Sequence, residues 1–401
     1  MDSVSPPSAL LLLPTAAEGA SFEQLQQAYG PALAAASVQV AKRLGDSNQI
    51  AVLDVAVCVP GVGSPACVPR ARVFDGLQRL VADMYTLIGL VGTEQEIELD
   101  IPGGIDVRVV FLDFDPVLGT LERPQYARHG PIVDLETLAG SGRPWDWVFY
   151  PDTGSGQTLA TAFRAGCSRS QQSGADKLYA VPGGIERSSP GGPFGPTDEQ
   201  TSTAHYSVII GGTFDHVHLG HKLLLTATAL IVDPIQDADS TPRLITIGVT
   251  GDELLVNKKY AEFLESWDER CQSTVSFLSA IIDFRPPDKS APSIQGVSQP
   301  GPNGKYALNT IWPGLVLKLV EISDVFGPTI TEEDITAIVV SKETRSAGPM
   351  INSERAKKGW HGLEVFEVDV LQVGEAPAAE NFASKISSTD IRRRRMDLAK
   401  R

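Results

Sequence analysis

Hydrophobic and polar positions along the chain follow two rhythms, one suited to buried strands and one to helices. Residues 10–13 are a short apolar run ended by Pro14, which predicts a first buried strand. Ser21-Phe22-Glu23-Gln24 has the form of a capping box, with Ser21 and Gln24 placed to satisfy each other's orphan amides. A helix to about Arg43 should follow. Residues 50–59 are apolar and β-branched, helix periodicity returns over 73–88, and 107–114 and 145–150 read as further strands. In the second half, strand patterns at 207–211, 244–250, 316–322, 337–341 and 364–370 are separated by helix patterns at 219–231, 264–282 and from about Ser388. Strands separated by helices imply a parallel sheet with helices on both faces. The expected class is α/β throughout.

Length and composition divide this pattern. At 401 residues the chain exceeds one ordinary hydrophobic core, so two domains are expected. Gly, Ser, Pro, Thr and Gln crowd residues 188–203, including Ser189-Pro190-Gly191-Gly192-Pro193, and such a stretch buries too little apolar surface to order itself. The expected division is a smaller α/β domain over 1–151, a partly disordered linker over 152–205, and a second domain over 206–401. The Pro-rich stretch 286–302 is expected to be a surface loop or insertion.

Charge and cysteine usage narrow the function. A formal net charge of −15 leaves no basic excess to neutralise a nucleic-acid backbone. Cys58, Cys67, Cys167 and Cys271 form no CxxC pair, which points to a reducing compartment and away from zinc. The early apolar run is far too short to span a bilayer and lacks a basic flank, so a cytoplasmic location is expected.

Candidate chemistry begins at Val208-Ile209-Ile210-Gly211-Gly212-Thr213-Phe214-Asp215-His216-Val217-His218-Leu219-Gly220-His221. An apolar strand runs into two glycines, a polar turn and a helix taken to be amphipathic. This is the form of the first βα turn of an open sheet, where ligands bind at the carboxyl ends of strands. Glycine backbone and helix-terminal amides suit a phosphate. His218 and His221, three apart at a helix start, point to one side. A second group, Ile386-Ser387-Ser388-Thr389-Asp390-Ile391-Arg392, places three hydroxyls before a helix and a guanidinium one turn later. No motif with chemistry stands out in residues 1–151.

Gly-Thr-Phe-Asp-x-x-His-x-Gly-His together with Ile-Ser-Ser-Thr-x-x-Arg resembles the signature pair of the HxGH nucleotidyltransferase superfamily. Gly248-Val249-Thr250-Gly251-Asp252-Glu253-Leu254 with Lys258-Lys259, Trp267-Asp268-Glu269-Arg270, and Val339-Val340-Ser341-Lys342-Glu343-Thr344-Arg345 resemble segments of eukaryotic or archaeal-type phosphopantetheine adenylyltransferases. The resemblance covers 206–401 and implies a Rossmann-like nucleotidyltransferase domain. It implies transfer of AMP from ATP to 4′-phosphopantetheine, giving dephospho-coenzyme A and pyrophosphate. It implies His221 as stabiliser of the α-phosphate, with Thr213 and Lys258 (or Lys259) beside it. Gly212, Thr213, Phe214, His218, His221, Arg345, Ser387, Ser388, Thr389 and Arg392 would hold ATP. Thr213, Lys258 and Lys342 would hold the acceptor. Mg²⁺ would arrive with ATP, coordinated by phosphates and water.

The rivals are a cytidylyltransferase or a nicotinamide mononucleotide adenylyltransferase of the same superfamily, and a non-catalytic scaffold that joins coenzyme A enzymes through residues 1–151. The absence of an Arg-Thr-x-Gly-Ile-Ser segment disfavours the first, and Gly-Thr-Phe-Asp in place of a Phe-Asn-Pro opening disfavours the second. No Gly-x-x-x-x-Gly-Lys-Ser/Thr pattern is present, so a fused kinase is not expected. All of these expectations require the histidines and the late hydroxyl cluster to meet in space.

Overall fold

In a computed structural model, the apolar run near the start is strand β1 (Ser8–Leu13), with five of its six residues buried. It lies inside a six-stranded sheet with β2 (Ala51–Cys58), β3 (Ile105–Asp113), β4 (Ile132–Asp134), β5 (Trp147–Pro151) and β6 (Leu178–Val181), in the order β4-β3-β2-β1-β5-β6. Every pairing in it is parallel. The structure describes residues 5–16, 19–45, 47–115, 129–185, 203–235, 241–286, 295–296, 300–369, 371 and 387–399.

Helices α1 (Phe22–Leu44), α2 (Phe74–Glu94), α3 (Leu135–Gly140) and α4 (Gly154–Arg169) accompany this sheet. The capping box at Ser21 and Gln24 forms as the sequence requires, and α1 buries Leu25, Tyr29, Leu33, Ala36 and Val40 as one stripe.

Residues 152–181 are not linker. They form α4 and β6, which complete the first sheet. The composition of Gly154-Ser155-Gly156 resembles a loop, but Thr153 caps a helix there, its hydroxyl accepting from Gly156 N at 3.1 Å. Leu159, Phe163 and Cys167 then supply a buried face. The Ser/Pro/Gly stretch at 188–202 lies outside the described residues.

The second sheet has seven strands: β7 (Ser207–Gly212), β8 (Arg243–Thr250), β9 (Gln295–Gly296), β10 (Tyr306–Trp312), β11 (Leu315–Ile322), β12 (Ala337–Ser341) and β13 (Glu364–Val368). Their order is β13-β12-β7-β8-β11-β10-β9. The first five in this order pair in parallel, and β10 and β9 are antiparallel. Helices α5 (Leu219–Ile231), α6 (Trp267–Ile282), α7 (Ala347–Lys357) and α8 (Ser388–Ala399) complete the unit. The hairpin strand β10 was not anticipated; Pro313-Gly314 turns it into β11, with Gly314 at φ 83, where glycine is needed. The chain enters at β7, builds outward to β8 and β11, then returns to β12 and β13 on the other side. By the rule for open α/β sheets, that reversal puts the ligand crevice at the carboxyl ends of β7 and β12.

Helix α5 departs from expectation. It is buried nearly all round rather than amphipathic, because α2 of the first unit covers the face turned away from its own sheet. One cluster of buried apolar side chains therefore runs through both halves. Polar ties cross it: Arg70 N donates to Asp233 at 2.8 Å, Gly130 N to Ile282 O at 2.8 Å, and Arg143 donates to the Asp283 carbonyl at 2.9 Å near the end of α6. At Gly130 a Cβ would sit 1.8 Å from Ile281 O, so only glycine allows this approach. Among the described residues, no helix is long and apolar enough to cross a membrane.

Candidate functional site

The crevice is built from the turn after β7. Phe214 at φ 50 and His216 at φ 48 both adopt left-handed backbone, which costs a non-glycine residue about 1–3 kcal/mol and persists only when neighbours over-determine it. Here they do. Thr213 O accepts from the buried Arg270 guanidinium at 2.8 Å, and the Asp215 carboxylate accepts from Glu265 N at 3.0 Å. The Glu265 carboxylate in turn accepts from His216 N at 2.8 Å, and His216 Nε2 donates to Phe263 O at 2.8 Å. The Phe214 ring lies beneath Gly212, where an added Cβ would meet it at 3.0 Å.

The late hydroxyl cluster lands on this same turn. Ser388 Oγ donates to Asp215 O at 2.9 Å and lies 3.2 Å from His218 Nε2. Because the serine proton points at the carbonyl, His218 Nε2 is the donor in the second bond, and His218 Nδ1 accepts from Gly220 N at 3.2 Å. That network assigns the neutral Nε2–H tautomer. The Arg392 guanidinium closes on the Asp215 carboxylate, both side chains being buried. It also donates to Lys259 O at 3.0 Å and to Thr389 Oγ1 at 3.2 Å. The two motifs thus form one cluster at the carboxyl edge of the sheet.

His221 is partly exposed and stacks on His218 with ring centroids 3.9 Å apart. Its other ring neighbour is Phe214, at 5.4 Å. Burial draws His221 down to about 4 and His218 well below its ordinary value. Both imidazoles are therefore neutral at pH 7. His221 Nδ1 is buried with no hydrogen-bond partner among the described residues.

The remaining candidates divide into those at the crevice and those beneath it. Thr213 is partly exposed at the end of β7, and Thr250 Oγ1 donates to Gly212 O at 3.2 Å. Lys258 and Lys259 are exposed in the turn after β8, which Lys259 O joins to α8. Lys342 and Arg345 are exposed just beyond β12, the Lys342 ammonium 2.8 Å from Asp369. Ser387 caps α8, its hydroxyl accepting from Asp390 N at 3.3 Å.

Three of the candidates are buried. Phe214 is 1% exposed and supports Gly212 from below instead of facing a nucleotide. Arg392 is 2% exposed and engaged with Asp215, Lys259 and Thr389, so it staples the two motifs together. His218 has both nitrogens engaged as the cap of α5 and the link to Ser388. Sequence reasoning gave no role to Asp215, Glu265 or Arg270. Arg270 was findable: it falls in phase with Trp267, Cys271 and Thr274 on the buried face of α6, where a charge needs a partner.

Asp215, His216 and Glu265 bring donor atoms within 4.8 Å of one another, the spacing of a cation site. Their atoms are already satisfied by Arg392, by Phe263 O and by each other. The group does not fit a resident metal.

Comparison with known proteins adds the following. Residues 1–187 match a family described as a domain of unknown function (DUF8446). A phosphopantetheine adenylyltransferase of Saccharomyces cerevisiae is 33% identical over 199 residues, 50% of this chain and 50% of its own. An uncharacterized protein of Schizosaccharomyces pombe is 34% identical over 191 residues, 47% of this chain and 48% of its own. A phosphopantetheine adenylyltransferase of Pyrococcus abyssi is 27% identical over 185 residues, 46% of this chain and 87% of its own. The match thus spans about half the length of the two fungal relatives. A solved structure of a protein of unknown function from Archaeoglobus fulgidus covers 41% of this chain and 100% of its own, at 22% identity and a TM-score of 0.26. Over about half its length the chain resembles phosphopantetheine adenylyltransferases of yeast and archaea.

Proposed function

We propose that residues 206–401 transfer AMP from ATP to 4′-phosphopantetheine, a step of coenzyme A synthesis carried out in the cytoplasm. The observation that supports this most is the contact of His218 with Ser388 and of Asp215 with Arg392, which brings both motifs to one crevice beside the names of the relatives.

In this reaction an oxygen of the acceptor phosphate forms a bond to the α-phosphorus of ATP, and the bond from that phosphorus to the bridging oxygen breaks. Pyrophosphate leaves with the electron pair. The acceptor phosphate is largely ionised at neutral pH, its second pKa being about 6, so no general base is needed. Rate comes from alignment and charge stabilisation. The neutral His221 donates a hydrogen bond to the α-phosphate as negative charge grows there. Thr213 orients the acceptor phosphate, Lys258 and Lys342 balance its charge, and Arg345 and the free amides of α8 at Ser387–Thr389 receive the β- and γ-phosphates. Gly212 lets the backbone approach the nucleotide. His218, Phe214 and Arg392 serve by holding these groups in place. Mg²⁺ would accompany ATP, supplying charge neutralisation at its phosphates without a cage of side chains from this chain. Contact with other coenzyme A enzymes through the first domain belongs to the same proposal and is tested by co-purification.

The function is tested by pyrophosphate release when ATP or CTP is offered with phosphopantetheine, nicotinamide mononucleotide or a phosphoalcohol. Release with CTP or with another acceptor alone would replace this function by that of a sister enzyme.

A further inference from the structure

Helix α5 presents His221 to the crevice and, at the next position, Lys222 to the first domain. The Lys222 side chain is 3% exposed, and its ammonium is gripped by the carboxylates of Asp100 and Asp106 while donating to Val107 O at 2.9 Å. Asp106 is itself held by Arg108, with Nη2 at 2.6 Å. Asp100 takes left-handed backbone at φ 62, and its carboxylate meets the lysine. A few residues earlier in the same turn, Glu98 reaches Arg394 of α8 at 2.7 Å. One segment of the first domain, residues 98–106, therefore grips α5, which bears His221, through a buried cluster and touches α8, which bears the hydroxyl cluster, through a more exposed ion pair. A third tie runs from Gln78 of α2 to Asp369 at 3.0 Å, the residue that also pairs with Lys342.

The geometry points to residues 98–106 as a positioning clamp that fixes His221 against α8, so that the first domain is a working part of the crevice. This rests on the proposed transfer. A buried lysine between two carboxylates is a poor way to gain stability, since apolar side chains of similar size do as well or better. What such a cluster provides is direction: it accepts one registry of α5 and rejects a slid or rotated one. Burial works against the charge on Lys222, yet Asp100 and Asp106 keep its ammonium above the usual range. Lys222, Asp100 and Asp106 are positioning residues that act through His221.

The test uses the full chain with Lys222→Met and the milder Asp106→Asn, against Arg143→Met, which cuts a buried interdomain tie at the far end of α6. Lys222→Met should lower kcat about ten- to a hundredfold, the scale of a small misplacement of a reacting group, with the KM for ATP nearly unchanged. In a His221→Ala background the same change should lower kcat less than about threefold. Equal kcat losses in Lys222→Met and Arg143→Met at equal loss of Tm would overturn the clamp, as would a Lys222→Met effect undiminished by His221→Ala. If Lys222→Met does not fold, Asp106→Asn is read by NMR of histidine-labelled protein. His221 resonances should shift while those of His205, which precedes β7 at the amino end of the sheet, stay in place. Unmoved His221 signals overturn the clamp whether or not turnover is seen. Shifted signals with no pyrophosphate release by the unaltered chain would defeat the proposed function alone.

Discussion

Arg392 and Asp215, 177 positions apart in sequence, form a buried ion pair that staples the last helix to the first crossover turn. The pair sets where Ser388 meets His218 and holds a turn with two left-handed residues in shape.

Breaking that pair should be costly, because either partner alone becomes an uncompensated buried charge. Arg392→Met or Asp215→Leu should each destabilise the chain by about 3–5 kcal/mol, whereas the double replacement should recover much of that loss. Denaturant titration of the three variants checks the stability terms. Transfer should stay low in all three, since the staple's placement of Ser388 is gone.

The two glycines after β7 should respond differently. A Cβ at Gly212 meets the Phe214 ring at 3.0 Å, while at Gly211 the nearest atom is 3.8 Å away. Gly212→Ala should cost about 1–3 kcal/mol by overpacking and Gly211→Ala little. Thermal unfolding of the two proteins compares them directly.

Protonation gives a signed prediction at the domain boundary. Burial draws His129, which sits between the halves, down to about 4. Its folded pKa lies below the unfolded value near 6.5, so the unfolded chain takes up the proton first as pH falls. The associated stability is complete above about pH 6.5 and is lost on descending toward pH 4. Asp100, pushed up to about 6 by burial, works in the opposite sense, so the comparison must be made by difference. Between pH 7 and 4, His129→Gln should lose about 2–3 kcal/mol less stability than the unaltered chain, measured by urea titration.

Much of the second unit was legible in sequence because its signals are local. Helix α5 begins and ends at the residues its apolar pattern marks, and Ser388 begins α8 as its hydroxyl cluster suggests. Parallel pairing and a ligand site at the first βα turn follow from alternating strands and helices together with a glycine-rich turn, whereas the order of the strands does not. Other features were illegible for physical reasons. The cap at Thr153 hides a helix inside loop-like composition. Lys222 looks like an ordinary surface lysine until α2 and β3 are packed over it. Arg392 reads as a phosphate ligand because sequence shows a guanidinium one turn from three hydroxyls but not the carboxylate waiting beneath it. For Lys222 and Arg392 the deciding partner lies far away along the chain.

In the proposed reaction neutral His221, in a crevice shared by both motifs, stabilises AMP transfer to a phosphate acceptor. Pyrophosphate release from ATP and 4′-phosphopantetheine, measured for the unaltered chain and for folded His221→Ala, tests it most directly. The account predicts release with this pair in preference to CTP or other acceptors, and a loss of at least about a hundredfold in the variant, the scale of one transition-state stabiliser. Turnover unchanged by His221→Ala would contradict it.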